Sequence, residues 1–269
     1  VTTISRVPLA EAMRRGTPLI GLVVKMPNQA LVELAGYSDF DLVVIDTEHG
    51  LGDGDQLEHH LRAAQGVGLW VLVRVGTASS IEVLRALDAG ADGIIVPHVN
   101  TAVDAEAAVR LAHYPPRGTR GLALSTRAGH YGSVPLAEHL RRSSEETVVI
   151  AQIEHADAIA NIDAIMRTPN LTGVWLGPSD LSMSLGHPGA TNHPNFVAAE
   201  SIVSDAAGTH PGCALAVVAA HTEAVRGWQE RGASMFLVPS PDLVSASLRS
   251  YTSGARSVLQ AVRLVEKGQ

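Results

Sequence analysis

The chain has 269 residues, enough for one large α/β barrel or two small domains. Hydrophobic residues make up 46% and aromatic residues only 4%, so a substantial core has to be built from Ala, Val, Leu and Ile. A net charge of −7 without a dense basic run argues against nucleic-acid binding, and no apolar run approaches the roughly 20 residues of a membrane-spanning helix.

Residues 1–15 lack the charged-then-apolar layout of a secretion signal and predict a leading helix over 4–15, placed to cover a barrel floor. The single cysteine, Cys213, rules out an internal disulfide framework and fits a reducing cytoplasm. Short β-branched runs then alternate with Ala/Leu-rich amphipathic stretches. Strand Leu19–Val24 precedes a helix over 29–35, and strand Leu42–Asp46 precedes a helix over 56–65. A strand over 69–75 leads to helix Ser80–Asp88, and strand Gly93–Val96 leads to helix Ala102–Ala112. In the second half, Val148–Ile153 is followed by a helix over 156–166, Gly173–Leu176 by one over 195–207, and Ala214–Val218 by Thr222–Glu230. A strand over 235–238 and a last helix over about 242–265 complete the series.

These strands show no polar/apolar alternation, so both faces should be buried, as in a parallel sheet covered by helices. Eight strand–helix units with no low-complexity linker predict a single domain over 1–269, folded as a closed (β/α)₈ TIM barrel. The run Ala89-Gly90-Ala91-Asp92-Gly93-Ile94-Ile95-Val96-Pro97 echoes Arg231-Gly232-Ala233-Ser234-Met235-Phe236-Leu237-Val238-Pro239, which would be half a barrel away. Residues 114–134, with Pro115-Pro116, Arg117, Arg120 and Arg127, would either fold over the mouth as a lid or pack at its side.

In such a barrel the reacting side chains gather at the carboxyl ends of the strands. The polar residues there are Lys25, Asp46, Glu48, His49, Arg74, His98, Gln152, Glu154 and Asp180. Glu154 and Asp180, two oxygen donors on successive strand ends, suit a hard divalent cation with open positions; the alternative is that both merely start helices. His49, with Asp46 upstream, is either a base or a loop histidine. Arg74 needs an anion, which is either a neighbouring carboxylate or the substrate. Gln152 can donate or accept toward the same place. A Schiff-base mechanism would rest on Lys25 alone, because the only other lysine is Lys267 in the tail.

The motifs Ile45-Asp46-Thr47-Glu48-His49, Val73-Arg74-Val75, Tyr114-Pro115-Pro116-Arg117-Gly118, Arg120-Gly121, Gln152-Ile153-Glu154 and Gly177-Pro178-Ser179-Asp180-Leu181-Ser182 together resemble the HpcH/HpaI aldolase family of metal-dependent class II pyruvate aldolases. The resemblance runs from about Gly21 to Val238. It implies a carbon–carbon lyase that reversibly cleaves a 4-hydroxy-2-oxo acid to pyruvate, or a related 2-oxo acid, and an aldehyde. It implies a divalent cation (Mg²⁺, Mn²⁺ or Co²⁺) held by Glu154 and Asp180, with the pyruvate carboxylate near the backbone N–H groups of Ser179 and Asp180. His49, oriented by Asp46, would be the base, Arg74 would stabilise the enolate, and Gln152 would orient the metal's surroundings. It further implies a homo-hexamer with C-terminal helices exchanged between subunits, consistent with the apolar Leu243, Val244, Leu248, Val258, Leu259, Val262 and Val265 of the tail. The same fold supports decarboxylation or citrate-type condensation, and from another class a noncatalytic 2-oxo acid binder. Lys25 and His98 stand where relatives often carry uncharged residues.

Overall fold

A computed structural model describes residues 7–50 and 54–267, the side chains of 54, 55 and 261–267 excepted. Eight parallel strands close into one barrel in sequence order: β1 (Leu19–Val24), β2 (Leu42–Asp46), β3 (Trp70–Arg74), β4 (Gly93–Val96), β5 (Val148–Ile153), β6 (Gly173–Leu176), β7 (Ala214–Val218) and β8 (Ala233–Pro239). Closure is made by β8 pairing with β1, for example Gly21 opposite Leu237. The helices on the outside are α2 (Gln29–Tyr37), α3 (Gly54–Gly66), α4 (Ser80–Asp88), α5 (Ala102–Ala112), α6 (Leu136–Glu146), α7 (Ala156–Ala160), α8 (Ile162–Met166), α9 (Pro178–Ser184), α10 (Pro194–Thr209), α11 (Thr222–Glu230) and α12 (Ser240–Lys267). Before them comes α1 (Leu9–Arg14).

The core divides in two, as strand alternation requires. Residues such as Val43, Ile45, Val71, Val73, Ile94 and Ile153 point outward and meet Val83, Leu87, Ala105, Ala108 and Ile165 of the helices. Leu19, Val23, Leu42, Val44, Leu72, Ile95, Ile150, Trp175 and Leu237 point inward and fill the barrel. Leu9, Ala10 and Met13 of α1 join this inner cluster, so the leading helix plugs the floor. The part of the expected leading helix at residues 4–6 lies outside the described residues, and the described helix starts at Leu9.

The inner series carries the chemistry to the top. Every second residue faces in, so Leu42 and Val44 lead to Asp46, Leu72 leads to Arg74, and Ile150 leads to Gln152 and then Glu154. The apolar layers below and the polar layer above are therefore one pattern continued. Four strands match the sequence reading over Leu19–Val24, Leu42–Asp46, Gly93–Val96 and Val148–Ile153, and two more over Gly173–Leu176 and Ala214–Val218. The single helix expected over 156–166 is instead α7 and α8, broken at Asn161, whose amide side chain donates to Asn100 O at 3.0 Å. The echo between the fourth and eighth strands reflects a shared turn: Gly90 and Gly232 both adopt positive φ, 92° and 89°, where a side chain would be strained.

Residues 114–134 pack at the side of the barrel and form no lid. Thr119 N–H donates to Arg110 O, Arg120 N–H to His113 O, and Ala128 N–H to Asp88 O, tying the segment to α5 and to the far end of α4. Arg120 anchors it, with Nη2 2.7 Å from Asp88 Oδ1 and its guanidinium 4.7 Å from the Tyr114 ring centre.

At the barrel's amino end, burial pushes the Asp92 carboxyl up to about 6; the Val71 N–H lowers it, and the charge of Glu146 raises it further. The unfolded carboxyl titrates near 3.8, so the folded protein holds the extra proton between these values. Stability should therefore fall as pH rises from about 4 to about 6, by roughly 3 kcal/mol at most. Asn can still accept the 2.7 Å bond from Val71 N–H. Asp92→Asn should then flatten this pH dependence in urea titrations; an unchanged slope would show that the carboxyl is ionised without cost.

Candidate active site

The polar side chains at the barrel mouth form one connected cluster. Arg74 is at its centre, with only 5% of its side chain exposed. Its Nε and Nη2 grip the Asp46 carboxylate at 3.0 and 2.5 Å, and its Nη1 reaches Glu48 Oε2 at 3.2 Å and Gln152 Oε1 at 3.3 Å. Below, the guanidinium carbon is 5.3 Å from the Trp175 ring centre, so the apolar plug serves as its floor. Of the two anions weighed for Arg74, the structure supplies the neighbouring carboxylates: Asp46 takes the fork of the guanidinium, and Nη1 is engaged by Glu48 and Gln152.

Asp46 has a larger task than orienting a histidine. Its Oδ1 accepts the backbone N–H of Glu48 and of His49, each at 3.1 Å, and so shapes the loop after β2. Lys25 Nζ lies 4.0 Å from Oδ2. Burial would push the Asp46 carboxyl up, but the hydrogen bond and charge of Arg74, the His49 N–H and the Lys25 charge outweigh it and hold it below the ordinary carboxylate range. The expected pairing of Asp46 with the His49 ring is replaced by this arrangement, because a buried bidentate Arg fork takes the carboxylate instead. The His49 ring is exposed and its Nε2 lies 3.9 Å from Glu48 Oε2.

Two residues at the centre of the cluster were given no role from sequence. Glu48 faces Arg74, His49 and His98, with His98 Nε2 3.6 Å from its Oε1. The signal for it was the Asp46-x-Glu48 spacing, which puts both residues of the alternating pair at the mouth. His98 follows β4 with φ of 57°, a conformation costly for a residue with a side chain. That backbone aims its N–H at Glu154 Oε1, 2.7 Å away, and its ring Nδ1 at the same oxygen, 2.9 Å away. Lys25, half-buried, is engaged with Asp46.

Glu154 is buried, and Gln152 Nε2 donates to its Oε2 in a short hydrogen bond. Burial raises its carboxyl above the ordinary range; the His98 N–H and ring charge lower it, while Glu48 and Asp180 raise it. Asp180 stands in the first turn of α9, a helix entered through Gly177 with Pro178 at the first helical position. Ser179 and Asp180 are both exposed at the mouth.

A hard cation fits these residues on three observations. The donors are carboxylate and amide oxygens. Glu48 Oε2 is buried with ion pairs to Arg74 and His49 but no contact of hydrogen-bond geometry, which leaves it acceptor capacity. Gly177 leaves open the space beside Glu154: a methyl group there would sit 3.2 Å from Glu154 Oε2 and 3.0 Å from Gln152 Nε2. Among the described residues no three His, Cys, Asp or Glu side chains close around a point, so the set suits an open site rather than a closed cage.

A profile of the HpcH/HpaI aldolase/citrate lyase family matches residues 19–239, the whole barrel. The chain belongs to this family. The HpcH/HpaI membership makes it a carbon–carbon lyase of the aldolase type. It is 37% identical over 189 residues to the hydroxypyruvate/pyruvate aldolase of Sagittula stellata, covering 70% of this chain and 74% of that one. It is 34% identical over 223 residues to the 5-keto-4-deoxy-D-glucarate aldolase of Escherichia coli K12/DH10B, covering 82% and 85%. A crystal structure of an HpcH/HpaI aldolase/citrate lyase family protein from Burkholderia cenocepacia superposes with a TM-score of 0.85 at 33% identity, over 95% of this chain and 98% of that one.

Proposed function

We propose that this chain is a divalent-metal-dependent pyruvate aldolase whose chemistry is carried by Arg74, His49, Gln152, Glu154 and Asp180. The observation that supports it most is the buried Arg74, whose Nη1 meets Glu48 and Gln152 while Gln152 also donates to Glu154, one of the two neighbouring carboxylates that suit a cation. Glu154 and Asp180 would hold Mg²⁺, Mn²⁺ or Co²⁺, which when bound supplies Lewis-acid polarisation of a 2-oxo group. In the cleavage direction His49 takes the proton of the substrate's C4 hydroxyl. The C3–C4 bond breaks, C4 leaves as the aldehyde carbonyl, and the electron pair moves onto the 2-oxo oxygen as the pyruvate enolate. Arg74 holds positive charge where that negative charge develops. Gln152 keeps the two halves in register, accepting from Arg74 at 3.3 Å and donating to Glu154. The exposed His49 ring can reach a substrate from the solvent side and return its proton to C3 of the enolate.

The direct test is release of pyruvate from a 4-hydroxy-2-oxo acid, abolished by a chelator and restored by one of the three cations. His49→Ala should lower turnover by roughly 10²–10⁴-fold, the usual worth of a general base, with pyruvate affinity little changed. Near-normal cleavage by this variant would reduce His49 to a loop residue. Consumption of the enolate in a condensation, with no aldehyde formed, would point to the citrate-type use of the same site.

The helix α12 exposes Leu248, Tyr251, Val258 and Leu259, all more than 60% accessible, on a 28-residue helix. We place a partner subunit on this face, in a homo-hexamer with exchanged C-terminal helices; a monomer in sedimentation at micromolar concentration would refute it. The partners are otherwise small molecules, a 2-oxo acid and an aldehyde. No helix among the described residues is long and apolar enough to cross a membrane. Cys213 is buried, its thiol pushed up to about 12, which suits the cytoplasm we assign.

A further inference from the structure

We propose that His98 is a positioning residue of the cation site: it holds one oxygen of Glu154 and leaves the other for the metal. The inference rests on the metal site proposed above and goes beyond it by assigning the residue that prepares the ligand.

The backbone of His98 is the first observation. The paired part of β4 ends at Val96, opposite Ala151, so the His98 N–H stands outside the ladder. A φ of 57° is left-handed, a conformation that a residue with a side chain adopts at a cost and keeps only where its surroundings hold it there. Glu154 is what holds it: the His98 N–H donates to Oε1 at 2.7 Å, joining the end of β4 to the end of β5. Glycine or asparagine would meet this backbone demand more cheaply. Burial does not explain the histidine either, since 66% of its side chain is exposed. The contacts of the ring remain. Its Nδ1 lies 2.9 Å from the same Glu154 Oε1, whereas Nε2, 3.6 Å from Glu48 Oε1, is beyond hydrogen-bond reach.

The two oxygens of Glu154 are therefore unlike. Oε1 is met by two nitrogens of His98, which match the two acceptor positions of a carboxylate oxygen. Oε2 is met by the Gln152 amide and keeps a position open. It is also the oxygen with room beside it, because the methyl group that would come within 3.2 Å of it is missing at Gly177. Gly177 leads directly into α9 and to Asp180, the other proposed ligand. A cation shared by Glu154 and Asp180 is thus met by Oε2, and His98 fixes the rotation of the carboxylate that turns Oε2 to that gap. Partners that orient a metal's ligand are typically worth about 10–100-fold in affinity.

The test is Mn²⁺ binding to the metal-stripped protein, followed by the electron paramagnetic resonance of free Mn²⁺ with no substrate present. Two variants separate the ring from the backbone. His98→Gly keeps the left-handed turn and the N–H but removes the ring. His98→Asn also suits the turn and carries an amide nitrogen at the place of Nδ1. His98→Gly should weaken Mn²⁺ binding by about 10-fold or more, and His98→Asn should stay within about 3-fold of the wild type. Thermal melts in chelator report whether both fold, and His98→Ala, which also lacks the ring, gives the same comparison should His98→Gly not fold. Equal affinity in the wild type and the ring-deleted variant would overturn the proposal, as would an equal loss in His98→Asn. The aldolase reading fails separately: this binding pattern in a protein that releases no pyruvate would refute that reading and leave the role of His98 standing, whereas a wild type that binds no Mn²⁺ would remove both.

Discussion

The double variant Glu154→Ala, Asp180→Ala should lose turnover by about 10³-fold or more, the several kcal/mol that Lewis-acid assistance contributes, while remaining folded. The reasoning starts from the two energies at Glu154. Truncation orphans the His98 N–H, 2.7 Å from Oε1, and the Gln152 amide, each a cost of about 1–3 kcal/mol. It also removes a buried carboxylate crowded by Glu48 and Asp180, whose charges raise its affinity for a proton. Crowded like charges without a cation are a liability to the fold, so their removal offsets part of the lost hydrogen bonding. The variant should melt near the parent protein measured in chelator, bind no Mn²⁺ in equilibrium dialysis, and gain nothing from added metal. Full activity in metal-stripped double variant would show that these carboxylates hold nothing needed for the reaction.

Arg74→Ala should be damaging in two separable ways. Asp46 would be left as a buried carboxylate with the Lys25 ammonium 4.0 Å away and two backbone N–H groups as its remaining support. Breaking a buried pair from one side costs about 3–5 kcal/mol. Turnover should also fall by roughly 10²–10³-fold, the usual loss when a preorganised donor to a developing oxyanion is removed. Arg74→Lys separates the two losses. It restores a charge near Asp46 and recovers stability, but it cannot fork to Asp46 and also reach toward Glu48 and Gln152, so turnover stays low. Equal recovery of stability and turnover in Arg74→Lys would assign Arg74 to the fold alone.

Much of this fold was legible in the sequence because a parallel barrel buries its strands on both faces. The runs Leu42–Asp46 and Val148–Ile153 are apolar throughout and end in polar residues, which fixes both the strand and its open end. The helix α6 was not legible. Leu136 and Leu140 are its main apolar signal, most of the rest is charged or polar, and its one buried residue is His139, hydrogen-bonded to the Tyr114 hydroxyl at 2.9 Å. Nor did spacing show that α7 and α8 break at Asn161, because the break depends on a contact with Asn100 far away in sequence. In the site, alternation brought Asp46, Arg74, Gln152 and Glu154 to the mouth. It could not show who pairs with whom. That Asp46 would be taken by Arg74 and by the loop's own N–H groups, leaving His49 beside Glu48, depends on the register of β2 against β3, which sets Asp46 opposite Arg74. The role of His98 was hidden for a related reason, since its positive φ comes from the path of the chain and not from its residue type.

The account's central claim is that this cluster makes and holds the enolate of pyruvate. The measurement closest to it is exchange of the pyruvate C3 protons in D₂O, followed by proton NMR with no aldehyde present. The wild-type protein with Mg²⁺ should wash out the methyl signal, the chelated protein and the Glu154→Ala, Asp180→Ala variant should not, and Arg74→Ala should slow the exchange by roughly 10²–10³-fold. Exchange no faster than in buffer for the metal-loaded wild type, or equally fast in the double variant, would contradict the account.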